Sequence, residues 1–417
     1  QDGYDPTRIH FANIDIAVSR IPADREDKAI VANNKSRNHL LNPPTTDATN
    51  RVLLMADRGD LNSHMKQAET NADSIRSLAP NITVTKAYKS LYPLADDAKD
   101  CKYVRQAIIQ SLLEGQYYMC YTGHGAPETF SDGNLWSKSW TNETDYNYYP
   151  IGFFATCDAL SFDRADDGIA ETMLFKDKGG VITAVAASRT VYKDYNQLYS
   201  LAFSNNLFSK MVPGDRTGDL YRKARASAMQ HGINASYAKI GINNLCYNMI
   251  GDPALPLPVA NRVAKVTKVN QTDIFDNDSV AVYPRGENII KGTIQLANGQ
   301  LDDTFNGTIT FSLYDAPVDA LTYNHKDDEI ITITRDELLL AQTVATVVNG
   351  LFEAKLNIPM PQYLGTNRLS IYAVDKENNN AAQGYLNTIK VMSYDSEQAV
   401  EDSIAPVIDE MYLNDRS

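Results

Sequence analysis

Two residues of types that do covalent chemistry stand where a strand hands over to a loop. Cys157 follows the apolar run IGFFAT (151–156) and opens onto an acidic loop from Asp158 to Gly168. His124 follows YYMCYT (117–122) and is flanked by Gly123 and Gly125. A thiol at a strand end is better exposed than one inside a strand, and a neighbouring imidazolium stabilises its thiolate at neutral pH. The glycines let the backbone turn sharply off the strand and leave amide N–H groups free to donate. A carboxylate able to accept the imidazole N–H and fix its tautomer follows RVLLMA (51–56), as Asp57 or Asp60. Asp60 could instead cap the next helix, and Glu69 lies further along, within that helix. The chemistry on offer is covalent catalysis by an activated thiol.

Blander readings cover the other candidates. Cys101, Cys120 and Cys246 read as small buried hydrophobes, and four widely spaced cysteines make neither a disulfide framework nor a CxxC zinc site. Trp136, Trp140, Tyr146, Tyr148 and Tyr149 read as packing residues, with a substrate cleft as the alternative. Asp163, Asp166 and Asp167 lack EF-hand spacing and read as a solvated acidic loop. No cofactor is expected, with calcium the lesser alternative.

These residues need a scaffold that gathers strand ends. From about residue 51 to about 250, short apolar runs alternate with segments of helical period, the pattern of a mainly parallel sheet covered by helices. In such sheets, ligands bind outside the carboxyl ends of the strands, where His124, Cys157 and the aspartates fall. RVLLMAD, YYMCYT, IGFFAT and GGVITAVAA (179–187) are the expected strands. Helices are expected over 97–114, closed by Gly115, and near 195–210 and 217–231, with Gly251 and the prolines of NMIGDPALPLP ending the region. Beyond about 262 the period becomes two, and VAVYP, NIIKGTIQL, GTITFSLYD, EIITITR, GLFEAKLNI, RLSIYAVD and GYLNTIKVM predict an antiparallel β-sandwich of roughly seven strands. The division is then 1–260, an α/β domain; 261–398, an immunoglobulin-like sandwich; and 399–417, a linker or the start of a further β unit. With Gln1 at its start, the chain reads as part of something longer.

A formal net charge of −13 without any basic run excludes nucleic acid as the natural partner. No apolar stretch approaches the roughly 20 residues of a membrane-spanning helix.

The segments DIAVSRIP (15–22), VLLMADRGD (52–60), YTGHG (121–125), FFATCD (153–158), KGGVITAVAASRTVY (178–192) and IGDPALPLP (250–258) together resemble the gingipain family of cysteine peptidases, relatives of the caspases. That resemblance implies His124 as general base, Cys157 as nucleophile, Asp60 as the carboxylate orienting the histidine, and an oxyanion hole from the N–H groups of Gly125 and Cys157. It also implies that a preceding α/β subdomain is missing from this chain. Within the family, the ATCD segment followed by Phe162-Asp163, and the sandwich with FNGTITFSLYD, look most like the type IX secretion sortase branch. The function implied is cleavage of C-terminal sorting domains from secreted cargo at a bacterial surface or outer membrane, with transfer of the acyl group to water or a lipopolysaccharide amine. Outer-membrane secretion components are the further partners implied. A secreted general protease, and an inactive surface binding module of the same fold, are the alternatives. Ser188, Arg189 and Trp136 are the expected substrate-pocket residues.

Overall fold

A computed structural model describes residues 16–42, 46–93, 101–131, 135–230, 237–275, 279–323 and 328–395. The first region contains, in chain order, α1 (Glu26–Leu41), β1 (Arg51–Ala56), α2 (Ser63–Leu78), β2 (Thr83–Tyr88), α3 (Lys102–Glu114) and β3 (Tyr118–Thr122). A small three-stranded ribbon, β4 (Gly125–Ala126), β5 (Thr129–Phe130) and β6 (Trp136–Ser137), leads into α4 (Lys138–Glu143). Then follow β7 (Ile151–Ala155), α5 (Ile169–Phe175), β8 (Thr183–Ala187), α6 (Lys193–Ser209), α7 (Thr217–Gln230), α8 (Tyr237–Cys246) and β9 (Tyr247–Gly251).

The central sheet runs β2-β1-β3-β7-β8-β9, parallel throughout except for the antiparallel edge strand β9. Both faces are covered, so the central strands are apolar on both sides rather than at alternate positions. Val52, Leu54 and Ala56 face Met65, Ala72 and Ile75 of α2 with Tyr199 and Phe203 of α6. Leu53 and Met55 face the other way, toward Val104, Ile108 and Leu112 of α3 and Met173 and Leu174 of α5. The expected strands and helices are present, β8 starting later than its sequence run and α3 ending at Gly115 with φ 87°. Ala98 and the acidic start expected for α3 lie outside the described residues, as does the 399–417 segment.

Several elements carry no signal in the sequence pattern, among them the β4–β6 ribbon, α4 and α5. β2 alternates threonines and Lys86 with its apolar residues, and β9 is an edge strand where the sequence pattern predicts only the end of the region. α8 was not anticipated either. Nor was α1, because its buried stripe, Lys28, Ala32, Lys35 and His39, is mostly polar. The Lys35 ammonium lies among the carbonyls of Met173, Leu174, Lys176 and Gly179, at 3.0 to 3.2 Å, closing the C-terminal end of α5. Lys28 pairs with Asp167 and His39 Nε2 contacts the Pro256 carbonyl.

The second region comprises β10 (Arg262–Val269), β11 (Thr272–Asp273), β12 (Val280–Val282), β13 (Ile289–Gln295), β14 (Gly307–Tyr314), β15 (Val318–Leu321), β16 (Thr332–Arg335), β17 (Leu339–Val348), β18 (Leu351–Lys355), β19 (Asn367–Asp375) and β20 (Asn380–Val391). It differs from the expected seven-stranded antiparallel sandwich. Nine strands form one sheet, β11-β10-β13-β18-β17-β14-β19-β20-β12, and parallel pairing of β10 with β20 closes it on itself around a single apolar core. β12 also pairs parallel with β20. The EIITITR run is not in that sheet: β16 forms a separate hairpin with β15. This hairpin reaches the first region, where Lys86 Nζ donates to the Thr334 carbonyl at 2.6 Å and Arg76 pairs with Asp336 at 2.9 Å.

Candidate active site

Because β1, β3, β7 and β8 are neighbours in that order, the loops after them are neighbours too. The register pairs Ala56 with Thr122 and Thr122 with Ala155. The residues that follow, Asp57 to Asn62, Gly123-His124, Thr156-Cys157 and Ser188 to Val191, therefore share one edge of the sheet. The sequence placed the chemistry at strand ends; the strand order brings those ends together.

His124 is exposed and its Nε2 lies 2.9 Å from Asp60 Oδ2. An ionised carboxylate only accepts, so Nε2 carries the proton and Nδ1 is the basic nitrogen of the neutral ring. Burial works to raise the Asp60 pKa, but the hydrogen bond and charge of His124, with His64 and Lys193 nearby, outweigh it and hold the group below the ordinary carboxylate value. Asp60 is not the helix cap, since Gly59 and Asn62 occupy the cap positions there. Asp57 is spent structurally: buried, it accepts from Ser131 Oγ at 2.8 Å and Arg58 N at 2.9 Å, with Lys89 Nζ at 3.4 Å. Glu69 is held by Lys86.

Asp60 is carried by a run of left-handed residues, Gly59, Asp60, Leu61 and Asn62, with φ of 90°, 53°, 58° and 61°. Left-handed backbone costs about 1–2 kcal/mol for a residue such as Leu61 and less for Asp60 and Asn62, whose short polar side chains tolerate it. The compensation comes from the second region. The buried Asp328 carboxylate accepts the N–H of Gly59 at 2.8 Å and of Asn62 at 2.9 Å, and Asn62 Nδ2 donates to the Glu329 carbonyl at 2.7 Å. Sequence reasoning assigned this region no part in the site, and no local signal in it marks Asp328.

Cys157 is partly buried, and its sulfur meets the backbone of Val191, 3.4 Å from both the carbonyl and the N–H. Among the described residues no hydrogen bond joins Cys157 to His124. The two face the same edge without a preformed pair. Gly125 allows the approach of the two strand ends, because a Cβ there would overlap the Thr156 hydroxyl. Cys101 and Cys120 are buried as expected, and burial pushes the Cys120 thiol up to about 12. Cys246 is instead partly exposed.

Two of the expected pocket residues are corrected. Trp136 is 1 % exposed, packed in the core with its indole N–H on Thr141 Oγ1 at 2.9 Å. Ser188 is buried, its hydroxyl donating to the Cys246 carbonyl. The β6 strand turns Trp136 inward, and the strand end keeps Ser188 within the sheet's hydrogen bonding. Arg189 remains at the exposed rim, where Asp163 holds its guanidinium. His64 was also missed, although it lies only four residues after Asp60, on the first turn of α2. It is buried, and its Nε2 lies 3.1 Å from the same Asp60 oxygen. Burial, with the charge of His124, holds its pKa below the ordinary imidazole value.

A largely parallel sheet covered on both faces thus sets a thiol and a carboxylate-bound imidazole on adjacent strand ends, the groups that covalent acyl transfer by a thiol employs. The sequence profile of peptidase family C25 matches residues 5–258, and the chain belongs to that family. No curated protein sequence matches it. Among solved structures, the complex of Porphyromonas gingivalis RgpB pro- and mature domains aligns with TM-score 0.51 at 12% identity, over 91% of this chain and 78% of that one, a likeness of fold. The Arg-specific cysteine proteinase gingipain R aligns with TM-score 0.49 at 13% identity, over 90% of this chain and 74% of that one. Dimeric latent PorU from Porphyromonas gingivalis aligns with TM-score 0.34 at 13% identity, over 88% of this chain and 45% of that one.

Proposed function

We propose that the protein is a cysteine endopeptidase in which Cys157 attacks the scissile carbonyl and His124 is the general base, with Asp60 holding the imidazole. The observation that carries this is the 2.9 Å bond from His124 to Asp60 on the strand end next to that of Cys157. Nδ1 of His124 takes the thiol proton, the sulfur adds to the carbonyl, and the same imidazole returns the proton to the leaving amine. The N–H groups of Gly125 and Cys157 donate to the oxyanion, worth about 10²–10³ in rate for one such donor. The acyl-enzyme is then released to a second nucleophile.

The likeness of the ATCD, GGVITAVAASRTVY and FNGTITFSLYD segments to the type IX secretion sortases supports a more specific reading. The enzyme removes C-terminal sorting domains from cargo at the bacterial surface and passes the acyl group to water or a lipopolysaccharide amine. Among the described residues no helix is long and apolar enough to cross a membrane. In this reading the closed β region is a support domain whose β15–β16 hairpin braces the Asp60 loop.

Iodoacetamide labelling of the folded chain tests the catalytic reading. Cys157 reacts fastest and loses that advantage in His124→Ala; Cys246, partly exposed, follows; Cys101 and Cys120 stay unmodified. A Cys157 no faster than Cys246 would overturn the assignment. For the sortase reading, mass spectrometry of cargo incubated with an amine acceptor shows an amide-linked product, whereas hydrolysis alone indicates a general protease.

A further inference from the structure

The pairing of His64 with His124 across Asp60 exceeds what an orienting carboxylate needs. The two imidazoles meet edge to face, with centroids 5.0 Å apart, and both Nε2 atoms converge on one oxygen, Asp60 Oδ2, at 2.9 and 3.1 Å. One ligand atom from each of the three side chains lies within 4.8 Å of the others. In a tetrahedral zinc site with bonds near 2 Å, neighbouring ligand atoms are about 3.3 Å apart, so the two nitrogen-to-oxygen separations are close to those of an assembled ligand set, and the two nitrogens need only a small approach. Two imidazoles and a carboxylate favour zinc, copper or nickel over calcium or magnesium, which take oxygen donors.

We propose that Asp60, His64 and His124 bind a divalent transition metal ion of the zinc class, and that the ion, by taking His124, switches the thiol chemistry off. Asp60 and His124 are exposed and give the ion a route in, while the buried His64 anchors the site from beneath. His64 Nδ1 is buried with no hydrogen-bond partner. Only the Asp60 bond holds the proton on Nε2, and nothing at Nδ1 opposes its transfer there when an ion takes Nε2. The same missing outer contact weakens the site by about 10–100-fold relative to a metal histidine that has one. The result is reversible occupancy rather than a permanent structural ion. Binding does not depend on the peptidase reading; only the switching-off rests on it.

Calorimetric titration of the whole chain with zinc chloride tests the binding. The wild type takes up one ion, Cys157→Ala binds within about 3-fold of it, and His64→Gln and Asp60→Asn each lose about 10-fold or more. Binding lost in Cys157→Ala but unchanged in His64→Gln would place the ion between thiol and imidazole and overturn the site, as would no saturable binding to the wild type. Cobalt(II) on the wild type decides independently of how the variants fold: a tetrahedral visible spectrum without a thiolate charge-transfer band supports the site, and that band refutes it. Zinc also slows Cys157 alkylation in the wild type. Saturable binding without that slowing removes the switch and leaves the site, and a Cys157 that is never preferentially alkylated faults the peptidase reading alone.

Discussion

Asp328→Ala removes the carboxylate under the Asp60 loop and touches neither the thiol nor the imidazole. Three consecutive residues bearing a Cβ, Asp60, Leu61 and Asn62, hold left-handed backbone; at about 1–2 kcal/mol for Leu61 and less for the Asp and Asn, which tolerate it better, this amounts to roughly 2 kcal/mol. Two backbone N–H bonds to a buried carboxylate, 2.8 and 2.9 Å long, are worth about 1.5–3 kcal/mol each, enough to offset that strain. Without them the loop relaxes toward ordinary backbone and Asp60 leaves His124. Urea unfolding then shows a loss of about 2–3 kcal/mol, limited because the loop can relax locally without unfolding the domain. The Cys157 alkylation rate and kcat/KM fall about 10-fold or more, equivalent to about 1.4 kcal/mol. The decisive comparison uses Asp60→Ala as background, where removing Asp328 has almost no further effect on rate because the two act in series. Full activity in Asp328→Ala, or an equal loss of rate in both backgrounds, would refute the bracing argument.

Gly125→Ala sets a methyl against the Thr156 hydroxyl, parting the two strand ends; peptide turnover falls about 10²-fold while circular dichroism is unchanged, and wild-type turnover would count against the oxyanion geometry. Lys35→Met leaves the four carbonyls at the end of α5 without their donor, and the unfolding free energy drops by about 1–3 kcal/mol; a neutral result would show that this buried amine contributes nothing. Glu171 accepts the N–H of Ser161 and Gly168 beside the loop after Cys157. Burial raises its pKa from 4.5 to about 7 in spite of those bonds. The folded state therefore holds a proton that the unfolded chain releases, and stability falls as pH rises from about 4.5 to about 7, by about 3 kcal/mol in total. Glu171→Gln removes this slope in pH-dependent denaturation, and an unchanged slope would contradict the raised pKa.

The chemistry was legible in the sequence because a strand end, a pair of glycines and a free thiol are local features. Cys157, His124 and the β1, β3, β7 and β8 runs could all be read from a few neighbouring residues, since a strand buried on both faces is apolar throughout. The choice between Asp57 and Asp60 was not open to local reading: both follow the same strand, and only the fold commits Asp57 to Ser131 and Lys89 and leaves Asp60 for His124. Trp136 has the composition of a pocket aromatic, and strand orientation alone made it core. α1 escaped notice because its buried face is held by lysines and a histidine, whose partners lie far along the chain. Tertiary structure alone also decided the closure of the β region and its reach through Asp328 to the Asp60 loop, and it brought His64 against His124. Such contacts join residues whose sequence separation carries no periodic signal, so they exist only once the chain has folded.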